Sequence, residues 1–423
     1  MKTKYDLIVV GGGFAGSFAA IEAARHGADV LLIEKYNCLG GAAAFALVSP
    51  FMGYRTGMPD GTLKNLAGDL FCDIVREAQA VSAPPAPPVA ESATLFDEES
   101  MKLVLARRAL KYGVTLLFNT TVTKVKREDG VIRSVSAVCK ACEMEFFADS
   151  FIDATGDAEL SALAGCECEV GRREDGLCQP MTLCFRVGGI DKERFAKIKP
   201  KVNEIYNSWK EQGKIKNPRE NVLCFQNYND GVVHFNTTRV IRKSPANPFE
   251  ITEAEIEARE QVYEMMNFLR TAVDGCERAR LLSTAMQIGI RESRRVMGEY
   301  VLCEEDLVSL ARFDDAIAVS NYAIDIHNPN GTGTVFREFK DGEWYEIPYR
   351  CLVPRGMNNL LVAGRCISST HEAQASYRIM PFCAEIGQAA GCAAAVAKNS
   401  GKTVRDVDVT KVREVLRSEG FVI

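Results

Sequence analysis

A run of glycines near the N-terminus has the spacing of a phosphate-binding turn. Gly11, Gly13 and Gly16 follow the order G-x-G-x-x-G directly after the apolar segment YDLIVV (5–10). The first glycine permits a tight turn, the second lets the backbone approach a pyrophosphate, and the third lets the following helix pack on the strand. Glu34 ends the next apolar segment, where a carboxylate can accept hydrogen bonds from both hydroxyls of a ribose. The pattern predicts a β-α-β unit that binds a dinucleotide.

Two later segments help to distinguish between dinucleotides. The segment FIDATGDAELSALAG (151–165) indicates a second strand, turn and helix, with Thr155, Gly156 and Asp157 at the turn. The segment LLVAGR (360–365) adds a third apolar strand that ends in a glycine. An NAD domain needs no such returning segments, whereas an FAD molecule extended across its domain does. The sequence therefore favours FAD over NAD.

The chain has only four histidines, which limits the choice of a proton donor or acceptor. His371 precedes the turn expected to face the flavin, and His327 lies at a strand end of the inserted domain, so the two can meet at a cleft between domains, where an imidazole titrates near neutral pH. For both, a catalytic role and an ordinary hydrogen-bonded role stay open. We expect His26 to be solvated at a helix end, and we expect a structural role for His234 in the strand-like segment VVHFN.

Arginines are the candidate groups for holding a substrate. Arg378 precedes the segment IMPFCAEIG, and Arg294 and Arg295 close the charged stretch RESRR (291–295). A guanidinium group binds a carboxylate or another polar group through a planar fork of donors. The RESRR stretch fits an ion-pair network between domains equally well.

The 15 cysteines do not form a metal-binding pattern. The segment CKAC (139–142) has C-x-x-C spacing, but it falls in a predicted hairpin, and a zinc site needs four ligands. The segment CEC (166–168) is a weaker signal, and the cysteine spacing of an iron–sulfur site is missing. We expect no metal site, and we interpret the cysteines as thiols in a reducing cytoplasm.

The elements that position these residues predict an α/β fold. The glycine motif indicates a parallel sheet, and four segments after it indicate a β-meander: VTLLF, TVTKVKRE, VIRSVSAVCK and EMEFFADSFIDATGD. Long polar helices over 191–213 and 252–272, mixed with strands, indicate an inserted α+β domain. The proline-rich segment SAPPAPPVAES (82–92) predicts an exposed loop.

The chain is long enough for more than one hydrophobic core, because it has 423 residues. We expect a discontinuous Rossmann-type domain over 1–165 and 350–423, with 166–349 inserted as the substrate domain. The net charge of −5, without a basic block, argues against a nucleic-acid partner. No apolar run approaches the ~20 residues of a membrane span, so no membrane association is predicted.

Motifs along the whole chain together resemble the bacterial FAD-dependent oxidoreductase family. They are VVGGGFAG, AAIEAARHGADVLLIEK, LGG, DATGDAEL, IGIRESRRVMGEYVL, YAIDIHNPNG, IPYRCLVP, NNLLVAGR, STHEA and RIMPFCAEIGQAAGCAA. That family belongs with the glutathione-reductase-like flavoproteins, near fumarate reductase and succinate dehydrogenase. The resemblance implies a Rossmann-type FAD domain with an inserted substrate domain. It leaves the substrate open, because one fold hosts many reactions.

The resemblance also implies roles for individual residues. The FAD phosphates would lie on the turn from Gly11 to Gly16, and the adenosine ribose would lie on Glu34. The other implied cofactor contacts are Gly13, Phe14, Ala15, Lys35, Gly40, Gly41, Ala42, Val122, Thr155, Gly156, Asp157, Gly364, Arg365, Ile379 and Met380. The segment GGAAAFA (40–46) has no histidine for covalent attachment, so we expect FAD to be bound non-covalently.

Pro381 is suited to the first position of a helix. The positive end of that helix would face the flavin and favour its reduced form by ~0.3–2 kcal/mol. Because the residue before a proline avoids helical backbone, we expect the chain to be non-helical just before Pro381. His371 and Arg378 would then flank the flavin.

These expectations describe an enzyme that exchanges a hydride between FAD and a small polar substrate. The candidate catalytic residues are His371, Arg378, His327 and Arg294. The alternative is a flavin-bearing electron-transfer subunit without a substrate of its own. A polar cleft beside the flavin favours the enzyme, and a flat exposed flavin edge favours the subunit. An NAD(P)H-dependent flavin reductase is a third hypothesis, but 166–349 contains no second glycine fingerprint. An electron-carrier partner and the oligomeric state stay open.

Overall fold

A computed structural model describes residues 2–82 and 93–423. The proline-rich segment predicted as a loop lies outside the described residues, except for Ser82. Strands β1 to β21, numbered in chain order, are Lys4–Val10, Val30–Ile33, Phe51–Met52, Arg55–Gly57, Leu63–Asn65, Ala93–Thr94, Thr115–Leu117, Thr121–Glu128, Val131–Cys139, Cys142–Asp153, Cys168–Val170, Phe185–Gly188, Cys224–Gln226, Val233–Phe235, Arg280–Thr284, Arg294–Val296, Ala316–Ser320, Ile324–His327, Thr334–Arg337, Tyr345–Pro348 and Leu360–Val362. Helices α1 to α12 are Phe14–Arg25, Ala42–Phe45, Asp69–Val81, Glu98–Lys111, Glu159–Leu163, Lys192–Ile198, Val202–Glu211, Pro248–Ala272, Glu304–Val308, His371–Tyr377, Met380–Ser400 and Val409–Ser418.

The main sheet confirms the predicted α/β fold. Its strands run in the order β7-β2-β1-β10-β9-β8, and β21 also pairs with β10. Strands β7, β2, β1, β10 and β21 are joined by parallel pairings. The predicted unit β1-α1-β2 is present, and its strands are apolar and buried because parallel strands are covered on both faces.

Strand β10 belongs to two pairing patterns. Its first residues, Cys142 to Phe146, pair antiparallel with β9, whereas Phe147 to Asp153 run parallel to β1. The predicted meander therefore consists of β8, β9 and β10. Its expected first strand, VTLLF, was assigned wrongly, because Thr115–Leu117 pairs in parallel with β2. Helix α4 lies before β7, so this strand closes a crossover connection rather than a hairpin.

The segment after the main sheet builds a second hydrophobic core. An antiparallel sheet in the order β13-β14-β12-β15 packs with α7 and α8 around residues such as Phe185, Phe235 and Met265. The helix expected over 191–213 is broken into α6 and α7 by a 3₁₀ turn at Lys199–Lys201, which contains Pro200 and cannot continue a regular α-helix.

Residues near the end of this segment return to the first core. Ile317, Ala318, Tyr345 and Ile347, on β17 and β20, pack with the residues that cover the main sheet. The domain boundaries at 165 and 349 stay a prediction, although β17 and β20, which lie within 166–349, pack with the first core.

Helices α1 and α11 approach each other at backbone contact distance. A Cβ added to Gly387 would lie 2.1 Å from the carbonyl oxygen of Ala15, and one added to Gly391 would lie 2.2 Å from that of Ala19. Both distances are far below van der Waals contact, so only glycine fits at these two positions. The Gly- and Ala-rich composition of α11 thus sets the distance between the two helices.

Helix α11 is also apolar along its length. Among the described residues, Met380–Ser400 alone is long and apolar enough to cross a membrane, and 94% of its apolar window is buried within the protein. This burial is that of a core helix packed against α1.

We expect Gly387→Ala to destabilise the protein. The added methyl group would force α11 away from α1, at a cost of ~1–3 kcal/mol of unfolding free energy. Thermal unfolding followed by circular dichroism measures the loss. Gly331→Ala is the matched control, because an added Cβ there meets nothing within 4 Å. Equal melting temperatures for the two variants would contradict the close contact.

Candidate functional site

The glycine turn between β1 and α1 is fixed by close backbone contacts. Gly11 has a φ of 98°, and a Cβ there would lie 2.5 Å from the carbonyl oxygen of Ala154. A Cβ on Gly16 would lie 1.7 Å from the carbonyl oxygen of Gly11. Gly13 differs, because an added Cβ would meet only the Cα of Gly41, at 3.7 Å. Gly11 and Gly16 therefore fix the turn, while Gly13 keeps one side of it open.

Glu34 is held by the backbone on both carboxylate oxygens. Its Oε2 accepts a hydrogen bond from the Gly12 amide, and its Oε1 accepts one from the Tyr36 amide at 2.9 Å. Burial raises the pKa of Glu34, against these two bonds. The carboxylate is thus oriented before any ribose binds, and it lines the cavity described below.

A buried aspartate fixes the turn after β10. Asp153 accepts hydrogen bonds from the amide and hydroxyl of Thr155 and from the amide and hydroxyl of Ser161, all between 2.7 and 3.1 Å. Asp157, in the same turn, forms an ion pair of 2.8 Å with Arg365, and its carbonyl oxygen accepts a bond from Arg294 at 3.4 Å. Segments distant in sequence therefore meet at this turn.

These elements surround one cavity of about 960 Å³. Most residues predicted to contact a cofactor line it: Gly11, Gly13, Phe14, Ala15, Glu34, Lys35, Gly41, Ala42, Val122, Thr155, Gly156, Asp157, Gly364, Arg365, Ile379 and Met380. Gly16 and Gly40 do not line the cavity. Gly16 packs against Gly11, and the Gly40 amide donates to the carbonyl oxygen of Gly12 at 2.9 Å. Both glycines support the turn without lining the cavity.

The chain before α11 differs from the expected path. His371–Tyr377 forms helix α10, so most of the segment before Pro381 is helical. Only Ile379 is extended, with a ψ of 152°, and α11 begins at Met380 with Pro381 in its second position. Met380, the residue directly before Pro381, already belongs to α11, so the expectation of non-helical chain just before the proline is wrong at Met380 and holds only one residue earlier, at Ile379.

His371 does not line the cavity, contrary to the expectation that it flanks the flavin. It is buried, and its Nδ1 donates to Glu292, with distances of 2.9 and 2.8 Å to the two carboxylate oxygens. Glu292 also pairs with Arg295, which donates to the carbonyl oxygens of Ser369 and Gly171. For Arg295 the interpretation of the RESRR stretch as an ion-pair network fits, because its guanidinium nitrogens all bond inside the protein. His371 joins this network through Nδ1, while its buried Nε2 has no partner among the described residues.

Arg294 and Arg291, from the same stretch, do line the cavity. Arg294 donates to the carbonyl oxygen of Asp157, and its predicted catalytic role stays a prediction. Arg291 donates through Nη1 to the Pro180 carbonyl oxygen and to the Thr182 hydroxyl, each at 2.7 Å.

Four arginines, two of them buried (Arg219 and Arg239) and two partly buried (Arg291 and Arg378), form a group that we call the arginine cluster. It also includes Glu220, Asp325 and His327. Arg378 lies 3.4 Å from Asp325, and Arg239 lies 2.9 Å from Glu220. All members except Arg239 line the cavity. Since Arg378 immediately precedes Ile379 and the start of α11, the cluster lies at that end of the cavity.

His327 is a neutral imidazole within this cluster. Arg239 Nη2 donates to its Nδ1 at 3.1 Å, so its proton is on Nε2, which faces Asp325 at 3.3 Å. Burial and the charge of Arg291 lower the pKa of His327 to about 3. Burial alone would raise the pKa of Asp325, but the bond from His327 and the charge of Arg378 hold it well below its usual range.

The other histidines lie away from this cavity. His26 is half-buried rather than solvated, and hydrogen bonds to Glu22 and Glu419 raise its pKa to about 9. His234 is buried on β14, where burial and Arg186 lower its pKa to about 3. Cys139 and Cys142 face each other at the end of the β9–β10 hairpin as free thiols.

Comparison with known proteins gives the family. The sequence pattern described as FAD dependent oxidoreductase matches residues 6–416. The chain belongs to the FAD dependent oxidoreductase family. It is therefore an enzyme that uses FAD as its cofactor for oxidation or reduction.

Individual relatives match parts of the chain. The chain is 29% identical over 201 residues to digeranylgeranylglycerophospholipid reductase 2 of Methanosphaera stadtmanae, a match that covers 44% of this chain and 48% of that protein. It is 56% identical over 42 residues to vinyl phenol reductase of Lactiplantibacillus plantarum, which is 10% of this chain and 8% of that protein. The chain thus spans about half the length of the first relative, and far less of the second.

A solved structure with a similar trace is that of a geranylgeranyl bacteriochlorophyll reductase-like protein from Thermoplasma acidophilum. The TM-score is 0.49 at 14% sequence identity, over 98% of this chain and 84% of the other.

The cavity residues fit an FAD molecule. Helix α1 begins at Phe14 without a side-chain cap, so the amides of its first turn are free to bind phosphate oxygens. The open side of Gly13 leaves room for the pyrophosphate. Arg365 and Arg294 add positive charge beside Asp157.

Sequence inspection missed several residues of this site. Asp153 falls at the end of an apolar strand, where a buried charge is a recognisable signal. Asp325 stands two residues before His327 on β18, so the period of a strand places both on one face. Arg219 lies in irregular chain, where no periodic pattern marks its direction.

We expect Gly13→Val to fold but to lack FAD. A Cβ at Gly13 has room within the protein, so the larger side chain would enter the cavity where the pyrophosphate lies. Circular dichroism measures folding, and the ratio of flavin to protein absorbance measures occupancy. Gly331→Val serves as the control. A folded Gly13→Val variant with full FAD occupancy would contradict the placement of the pyrophosphate.

Proposed function

We propose that the protein exchanges a hydride between FAD and a small polar substrate that binds beside the arginine cluster. One observation carries this proposal: a single cavity joins the glycine turn to polar and charged residues of the segment 166–349. The glycine turn accounts for the dinucleotide, and the arginine cluster remains for a second molecule. The finer resemblance to flavoproteins near fumarate reductase stays a prediction.

When bound, FAD supplies the acceptor or donor of the hydride, and the protein supplies binding and orientation. Within the cluster, Arg239 fixes the tautomer of His327, and Arg378 pairs with Asp325. Tyr322, whose pKa burial raises to about 12, also lines the cavity and stays neutral. These groups present fixed charges and donors to a polar substrate.

The arrangement favours an enzyme over a simple electron-transfer subunit. A subunit that passes electrons to another protein needs only an exposed flavin edge. It does not need four arginines buried or partly buried next to a cavity, since buried charge without a partner is costly. The cluster is therefore better explained by a polar ligand than by a protein-docking surface.

The proposal is tested by anaerobic screening of the FAD-loaded protein, in its oxidised and in its chemically reduced form, against a panel of small polar metabolites, with the flavin absorbance followed. Bleaching of the oxidised flavin, or re-oxidation of the reduced flavin, by one chemical class at catalytic rates supports the proposal. Reduction by a redox protein alone, with no response to any small molecule, would support the electron-transfer subunit instead.

We expect Arg378→Ala to retain FAD, because the glycine turn and Glu34 are unchanged. The substrate concentration for half-maximal flavin reduction should rise, and the saturating rate should fall by ~10²–10⁴-fold only if the guanidinium also transfers a proton. Stopped-flow reduction over a range of substrate concentrations separates the two effects. Arg133→Ala, at an exposed position of strand β9, is the control. Identical kinetics for Arg378→Ala and the parent protein would contradict a role for Arg378 in substrate binding.

A further inference from the structure

The arginine cluster has more positive than negative charge. Its four guanidinium groups face two carboxylates, those of Glu220 and Asp325. His327 adds no charge at neutral pH, because its pKa is about 3. Two positive charges in a mostly buried region therefore lack a counter-charge within the cluster.

The two arginines without a carboxylate partner can be named. Arg239 pairs with Glu220, and Arg378 pairs with Asp325. In the part of the chain that the structure describes, Arg219 and Arg291 form no ion pair. Their bonds go to neutral oxygens, those of Asn221 for Arg219, and of Pro180 and Thr182 for Arg291.

Some of the donors in the cluster are also unused. Arg219 is 4% exposed, and its Nη1 has no hydrogen-bond partner among the described residues. The Nε of Arg378 is likewise buried and without a partner there. A buried N–H group without an acceptor destabilises the protein, and more so when it is charged. Both residues line the cavity, where a bound acceptor would remove this cost.

Burial and the neighbouring Arg378 lower the pKa of Arg291 to about 9. Burial also lowers the pKa of Arg219. These shifts have the direction expected when like charges are held together away from water. An anion between the two guanidinium groups would relieve their repulsion.

The phosphates of FAD are not the anions that this cluster needs. They are accounted for by the first turn of α1 and the glycine turn, with Arg365 and Arg294 nearby. Within the cluster, both arginines that have a partner are matched by a carboxylate. A planar carboxylate also fits the fork of a guanidinium group with two parallel hydrogen bonds.

We propose that Arg219 and Arg291 bind a carboxylate group of the substrate, with Arg378 beside it. This inference deepens the proposed function and rests on it for the identity of the ligand as a substrate. It narrows the proposed substrate class from small polar molecules to small carboxylic acids. Arg219 and Arg291 are then residues that set specificity for the charge of the substrate.

Equilibrium binding to the oxidised, FAD-loaded protein tests the proposal without turnover. Isothermal titration calorimetry in a chloride-free buffer compares malonate, inorganic phosphate and malonamide, the uncharged analogue of malonate. We expect malonate to bind, malonamide to bind at least ~10-fold more weakly, and phosphate to bind more weakly than malonate.

Variants locate the binding site. Arg219→Gln and Arg291→Gln should each weaken malonate binding by ~10-fold or more, because each removes a charged donor. Arg133→Gln should leave it unchanged. Arg219→Lys and Arg291→Lys keep the charge without the planar fork, and they should bind malonate with intermediate affinity if the glutamine variants do not fold. Retained flavin absorbance shows that a variant is folded.

Four outcomes would overturn the proposal. Three are equal binding of malonamide and malonate, preference for phosphate, and malonate binding unchanged in both folded arginine variants. The fourth is malonate that binds only the FAD-free protein and is displaced by FAD, since the cluster would then hold part of the cofactor. Because no redox reaction is measured, a failed metabolite screen with intact malonate binding would contradict the proposed function and not the carboxylate site.

Discussion

The site depends on the contact between α1 and α11. The two helices approach so closely that the backbone of Ala15 occupies the space where a side chain of Gly387 would lie. The N-terminus of α1 carries the glycine turn, and the N-terminus of α11 follows Arg378 and the extended Ile379. One glycine contact therefore fixes the distance between the two helix ends that border the cavity. Core packing and ligand geometry are set by the same residues.

Buried charge is the second constraint on the structure. The Glu292, Arg295 and His371 network satisfies its charges internally and connects α10 with β16. The arginine cluster does not satisfy its charges internally, although its member Arg291 directly precedes Glu292 in the sequence. The contrast distinguishes a structural network from a binding site, because isolated buried charge is tolerated only where a ligand or another group compensates it.

The glycine turn, the first β-α-β unit and the α/β fold could be predicted from sequence, because each depends on local spacing. The position of His371 could not be predicted, because its partner Glu292 is distant in sequence. The break at Lys199–Lys201 in the helix expected over 191–213 is marked in the sequence by Pro200, which cannot continue a regular α-helix.

The arginine cluster shows where sequence analysis reaches its limit. Arg219, Arg291 and Arg378 come from three separate segments, and only the folded chain brings them to one cavity. The sequence pointed to Arg378 and to the RESRR stretch, but it could not separate Arg291, which lines the cavity, from Arg295, which is used internally. Side-chain direction in irregular chain depends on tertiary contacts that no periodic pattern encodes.

The central claim is that one FAD molecule occupies the glycine-turn end of the cavity without a covalent bond. The most direct measurement is the identity and amount of flavin released from purified protein, reconstituted with FAD, by heat or acid. We predict one intact FAD per chain in the supernatant and a colourless protein pellet. Release of FMN, absence of flavin after reconstitution, or flavin retained in the denatured pellet would contradict the account.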